Sequence, residues 1–189
     1  MNIAAMAGLP EVLLITPKRF GDERGYLFEA YDQVRYKEAG VTAAFVQDNV
    51  SVSRHGVLRG LHLQHPHDQA KLVMALAGEI WDVAVDVRRG SPTFGRWVAA
   101  TLSAANGCQL YVPAGFAHGF CVLSETATVY YKMSDRYAPA AALSLAWNDP
   151  ALAITWPVAA PTLSAQDAAA PRLAAVPPDR LPPFTGQGA

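Results

Sequence analysis

Between Val57 and Lys71 the chain gathers Arg59, His62 and Lys71 into one short segment of an otherwise largely apolar chain. An arginine grips phosphate oxygens through its planar fork, a histidine moves a proton near neutral pH, and a lysine ammonium steadies an oxyanion. The same stretch holds His65-Pro66-His67, which has the His-x-His spacing of a metal site. No Cys or Glu follows at a convincing ligand spacing, so a polar surface loop is the plainer reading of that pair. His62 by itself fits two readings equally, a proton-transfer group or a buried histidine with satisfied nitrogens.

The backbone must solve a problem before these groups can act together. In an ideal strand His62 shares a face with Leu58, Gly60 and Gln64, and Arg59 points the other way. For both to line one pocket the pleat must break between them, and Gly60 is where a bulge can break it. Around this stretch the pattern is β. Glu11–Ile15, Tyr26–Tyr31, Ala44–Ser53, Leu72–Leu76, Glu79–Val87, Trp97–Leu102 and Gln109–Val112 read as strands, separated by turn signals such as His55-Gly56 and Ala77-Gly78-Glu79. In Glu79–Val87, Trp81, Val83, Val85 and Val87 share one face, and Asp82, Ala84 and Asp86 share the other. The two aspartates there read as solvent-facing or paired with arginines.

Cys121–Leu123 and Ala127–Met133 read as two arms of a hairpin around Ser124-Glu125. Tyr131, on a face with Ala127, Val129 and Met133, reads most simply as a core tyrosine. His118 has small neighbours that let a ligand approach closely. Asp32 is placed to cap a helix over 32–39, and Ser164 to cap one over 163–170 with Asp167 at its third position. Many short strands with few helices predict an all-β sandwich or barrel. Residues 1–170 are expected to form one domain. Residues 171–189 carry five of the prolines and are expected to form an extended, partly loose Pro/Ala-rich tail.

Composition narrows the class of function. Hydrophobic residues make up 51% of the 189, enough for a sizeable core, and the formal net charge is −1. That balance argues against a general nucleic-acid binder. It leaves room for an anionic small molecule, for which a few local arginines suffice. Cys108 and Cys121 lie in apolar segments and are expected as free thiols of a cytoplasmic protein. Neither a signal peptide nor a membrane-spanning stretch is expected.

Several motifs now appear in order: Phe20-Gly-Asp-Glu-Arg-Gly25, Gln47-Asp-Asn49, Val57-Leu-Arg-Gly-Leu-His62, Asp82-Val-Ala-Val-Asp-Val-Arg88, Gly90-Ser-Pro-Thr-Phe-Gly95 and Pro113-Ala-Gly-Phe-Ala-His-Gly-Phe120. Tyr131-Lys132, Tyr137-Ala-Pro139, Trp147-Asn-Asp-Pro150 and Leu163-Ser-Ala-Gln-Asp167 follow. This set, spread over residues 10–173, closely resembles the dTDP-4-dehydrorhamnose 3,5-epimerase (RmlC) family. The resemblance implies a cupin-type jelly-roll β-barrel with a few short peripheral helices, usually a homodimer, with no cofactor and no metal in the site. It implies a dTDP-linked 4-keto-6-deoxyhexose as substrate. By position, His62 matches the general base, Tyr131 the general acid, Asp167 the partner of the histidine, and Lys71 the lysine near the sugar C4 oxygen. Arg24, Glu29, Gln47, Asn49, Arg59 and His118 match substrate-binding positions, and Tyr137 matches an aromatic beside the substrate.

The chain departs from the family pattern at Ala142, where a glutamate is common, and at Gln69-Ala-Lys71, where Gln-Gly-Lys is frequent. The first change bears on which sugar or nucleotide is taken. Three other readings stay open from sequence. One is an epimerase acting at C3 alone or C5 alone. Another is a metal-dependent cupin using His62, His65, His67 and His118. The last is a sugar-nucleotide binding barrel without catalysis.

Overall fold

The computed structural model describes residues 1–186. The strands are β1 (Asn2–Met6), β2 (Leu9–Thr16), β3 (Arg19–Asp22), β4 (Gly25–Phe28), β5 (Gln47–Arg54), β6 (Leu58–Gln64) and β7 (Lys71–Ala77). They continue with β8 (Glu79–Asp86), β9 (Trp97–Ser103), β10 (Gln109–Val112), β11 (Phe116–Val122), β12 (Thr126–Met133) and β13 (Ala142–Ser144). Two short helices, α1 (Gln33–Glu38) and α2 (Ala165–Ala168), lie outside the strands. Both are capped as their sequences predict: Asp32 accepts the Arg35 N–H, and Ser164 accepts the Asp167 N–H. Gly40 takes a positive φ of 99° just past α1, a stop that favours glycine.

The strands form two sheets, in the orders β1-β2-β10-β7-β12-β5 and β13-β6-β11-β8-β9, with β3 and β4 as a separate hairpin. From β5 onward the chain crosses between sheets at almost every turn, and β8–β9 is the one consecutive pair joined as a hairpin in that stretch. This is an all-β jelly roll of the expected kind, built as two facing sheets that share no strand. The arms around Ser124-Glu125 are not a hairpin: β11 pairs with β6 and β8, whereas β12 pairs with β5 and β7. Two alternating strands with a tight turn look alike whether they pair or separate, and here the turn carries the chain from one sheet to the other.

Three apolar layers result. Between the sheets lie Val73, Leu110, Phe116, Phe120 and Val129, among others. Outside the long sheet, α1 lays Tyr36 on Ile15, Leu72 and Tyr111. Outside the shorter sheet, Val83, Val85 and Val87 of the alternating segment pack with Leu145, Leu152, Leu173, Val176 and Leu181. This last layer corrects the expectation of a loose tail. As far as Phe184 the segment after residue 170 is docked: Arg89 donates its backbone N–H to the Pro182 carbonyl at 2.8 Å and accepts that of Phe184 at 2.9 Å. The Phe184 ring faces the Arg88 guanidinium, whose charge is held by Asp86 and Glu11. Positions 187–189, the end of the expected tail, lie outside the described residues. Among the described residues no helix is long and apolar enough to cross a membrane.

Candidate active site

A pocket of about 390 Å³ opens between the two sheets. The shorter sheet contributes Arg59, His62 and Gln64 from β6 and His118 from β11. The longer sheet contributes Gln47 and Asn49 from β5, Lys71 from β7 and Tyr131 from β12. Tyr137 stands exposed at the wall, its backbone N–H given to Gln47 Oε1 at 2.9 Å.

The pleat does break at Gly60. On β11 His118 and Phe120 are two positions apart, but their partners on β6, His62 and Arg59, are three apart, so the extra residue is in β6. Gly60 has φ +120°, and a Cβ there would lie 2.6 Å from Gly119 Cα and 2.7 Å from the His118 carbonyl oxygen. Glycine is required on both counts. With the bulge in place, Arg59 and His62 both line the pocket. Arg59 Nε donates to Ser53 Oγ at 3.0 Å, leaving the fork of its guanidinium for a ligand.

His62 Nε2 donates to Asp167 Oδ1 at 2.6 Å. That bond fixes the hydrogen on Nε2 and leaves the lone pair on Nδ1. Burial alone would raise the Asp167 carboxyl; the bonds from His62, Ser164 and the Gly60 backbone outweigh it and hold the group below its usual range. α2 thus presents an ionised carboxylate behind an imidazole that still faces the pocket.

A second histidine–carboxylate pair lies deeper. His118 Nε2 donates to both oxygens of Asp82, at 3.0 and 2.9 Å, and Asp82 is fully buried. Burial pushes the Asp82 carboxyl up, while His118 and the Lys71 ammonium pull it down. Lys71 is buried too. Desolvation lowers its ammonium to about 8, against the raising influence of Asp82. Its Nζ reaches the His62 carbonyl at 3.5 Å. Tyr131 is raised by burial, with the Arg59 charge acting in the other direction.

The structure therefore brings together His62, Asp167, Tyr131, Lys71, Gln47, Asn49, Arg59, His118 and Tyr137. It does not bring in Arg24 or Glu29. Arg24 forms an ion pair with Asp22 at the tip of the β3–β4 hairpin, its side chain 84% exposed, and Glu29 accepts from Arg35 at 3.1 Å. Neither lines the pocket of its own chain. Tyr131 packs against the inter-sheet core, as a core tyrosine would, and also borders the pocket.

Sequence reasoning missed the role of Asp82, read there as solvent-facing or arginine-paired. The alternation of its strand signalled only that it lies opposite Trp81 and Val83; the structure shows that this opposite face, with Ala84, looks between the sheets. What it lacked was the neighbouring strand that supplies His118. Gln64 was missed as well. It lines the pocket, donating to the carbonyls of His67 and Arg136 and accepting from the Ala138 N–H. His65 and His67 turn to Asp68 and Asp135 instead. Among the described residues no three His, Cys, Asp or Glu side chains stand together as a metal-ligand group.

The sequence model of the dTDP-4-dehydrorhamnose 3,5-epimerase family matches residues 6–175. The chain is 54% identical over 166 residues to the dTDP-4-dehydrorhamnose 3,5-epimerase of Pseudomonas aeruginosa, covering 87% of this chain and 92% of that protein. It is similar to the crystal structure of a dTDP-6-deoxy-D-glucose-3,5-epimerase from Legionella pneumophila in complex with dTDP-4-keto-L-rhamnose. There the TM-score is 0.94 and the identity 49%, over 97% of this chain and 98% of that one. It is also similar, with TM-score 0.84 and 36% identity over 90% and 87% of the two chains, to a 3'-monoepimerase from Streptomyces bikiniensis in complex with dTDP-quinovose.

Proposed function

The chain belongs to the dTDP-4-dehydrorhamnose 3,5-epimerase family, and on that premise we propose that it inverts C3 and C5 of dTDP-4-keto-6-deoxy-D-glucose to give dTDP-4-keto-L-rhamnose. The observation that carries this reading is the placement of His62 and Tyr131 on opposite sheets across one pocket. Inversion needs a base on one face of the carbon and an acid on the other.

The C4 ketone acidifies the hydrogens at C3 and C5, because either carbanion delocalises into the carbonyl as an enolate. His62 Nδ1 takes the proton, and the Asp167 carboxylate stabilises the imidazolium that forms. Lys71 supports the enolate oxygen. As an ammonium it can contribute roughly 3 kcal/mol in a dry site. Its countercharge, Asp82, is held by His118, so the cation stays in place without a carboxylate in the pocket itself. Tyr131 then delivers a proton to the opposite face of the carbon. Arg59 takes the diphosphate, for which a planar guanidinium is well shaped, and Gln47, Asn49 and Tyr137 flank the substrate. No resident cofactor has a part in this sequence of steps.

We also propose that the protein works as a cytoplasmic homodimer. Arg24 and Glu29 match substrate-binding positions yet stand outside their own pocket, and Phe20, Tyr26 and Leu27 on the same hairpin are exposed apolar side chains. A second copy would cover them and put Arg24 to use. Sedimentation analysis is expected to give twice the chain mass, and a monomer that is fully active would overturn the dimer.

The reaction is tested by incubating the protein with dTDP-4-keto-6-deoxy-D-glucose and assigning the product by NMR. Inversion at both centres is expected. A product inverted at C3 alone would assign it to the single-centre class, with which it also shares the fold.

A further inference from the structure

The pocket wall formed by β13 differs in chemistry from the others. Strand pairing sets Ser144 opposite His62 and Ala142 opposite Gln64. Cross-strand partners share a face, so both look into the pocket from the side of the base. Ser144 is buried, and its Oγ accepts from Gln166 Nε2 at 3.0 Å. Gln166 directly precedes Asp167 on α2, so one helical turn holds both the carboxylate behind His62 and the amide behind Ser144. With Oγ accepting from Gln166, the serine hydrogen has no protein acceptor within bonding distance among the described residues. Ala142 beside it adds neither charge nor polar atom. This wall offers a ligand one fixed neutral donor, which suits an uncharged hydroxyl oxygen. The diphosphate finds its cation, Arg59, elsewhere, three positions before His62 on β6.

We propose that Ser144, oriented by Gln166, is a specificity contact for the sugar: its hydroxyl donates to a hydroxyl oxygen of the hexose on the side of the base. This rests on the reading that a nucleotide-linked hexose fills the pocket. It gives the β13 wall a polar role although Ala142 stands where a glutamate is common in the family.

Titration calorimetry with two probes tests it. The first is dTDP-glucose, which has no C4 ketone and does not react; the second is dTDP, which lacks the sugar. Ser144→Ala is expected to weaken dTDP-glucose about fivefold to tenfold, the loss of one well-placed hydrogen bond, and to leave dTDP unchanged. Ser144→Thr keeps the hydroxyl and should restore most of the affinity. Gln166→Leu should lose about threefold for dTDP-glucose, and adding it to Ser144→Ala should cost nothing more. Equal dTDP-glucose affinity in parent and Ser144→Ala overturns the proposal, as does an equal loss for both probes. Turnover of the 4-keto sugar by the parent is followed in the same preparation. Its absence would refute the reaction, whereas the contrast between the two probes decides the role of Ser144.

Discussion

The protein builds the same pair twice and exposes only one of them. In each, a histidine Nε2 donates to an aspartate: His62 to Asp167 and His118 to Asp82. The side chain of His62 is 44% exposed and that of His118 only 8%. The accessible ring can meet a substrate carbon and exchange its proton with solvent. The enclosed ring holds a buried carboxylate that in turn keeps a charge on Lys71. On the proposed mechanism identical partners serve different ends, set by depth: one pair moves protons, the other fixes the field in which the enolate forms. The Gly60 bulge relates them, since it brings His62 into register opposite His118.

That contrast can be broken from either side. His62→Ala should lower kcat by about 10³ to 10⁴, the upper part of the ~10² to 10⁴ range of a general base, with dTDP-sugar binding kept; turnover near the parent rate would remove the accessible pair from the chemistry. Asp167→Asn comes next, with a loss of about 10² to 10³ in kcat. It removes the carboxylate that stabilises the imidazolium and lets the ring adopt the other tautomer.

Asp82→Asn acts on the enclosed pair and should cost about 10² or less. Its signature is a pH profile. On the proposed mechanism Lys71 acts only as an ammonium, so kcat/KM of the parent should fall as pH rises through about 8. Asp82 raises the Lys71 pKa by its charge, so neutralising it should move that alkaline limb to lower pH. An unmoved limb in the variant would detach Lys71 from the deep pair. The smallest effect belongs to His65→Ala with His67→Ala, expected to leave kcat within about twofold, because both rings turn to loop carboxylates outside the pocket. A large loss there would revive the metal-dependent reading.

Much of this was legible in the chain because it is local. Period-two alternation placed the Trp81 face, Asp32 and Ser164 announced their caps, and the clash between the pleat and a shared role for Arg59 and His62 pointed to Gly60. Ordered motifs aligned His62, Tyr131, Asp167 and Lys71 with roles that their side chains now have the positions to fill. What escaped depends on which strands meet. Asp82 read as a surface or arginine-paired carboxylate, because neither the inward turn of its face nor its partner His118, which arrives from β11, is local to its strand. The segments on either side of Ser124 alternate equally well in one sheet or two. The Ala/Pro composition after residue 170 concealed Leu173, Val176 and Leu181, whose burial follows only once the Val83–Val87 face is seen to need a cover. Arg24 and Glu29 matched by motif, but a motif does not say whose pocket a hairpin serves.

The central claim is that base and acid stand on opposite walls. It is tested most directly by following Tyr131→Phe with dTDP-4-keto-6-deoxy-D-glucose in deuterated water by NMR. With His62 intact and the opposing donor gone, solvent deuterium should still enter at one carbon or more without inversion, and the inverted product should be lost. Formation of the doubly inverted product at the parent rate would contradict the account.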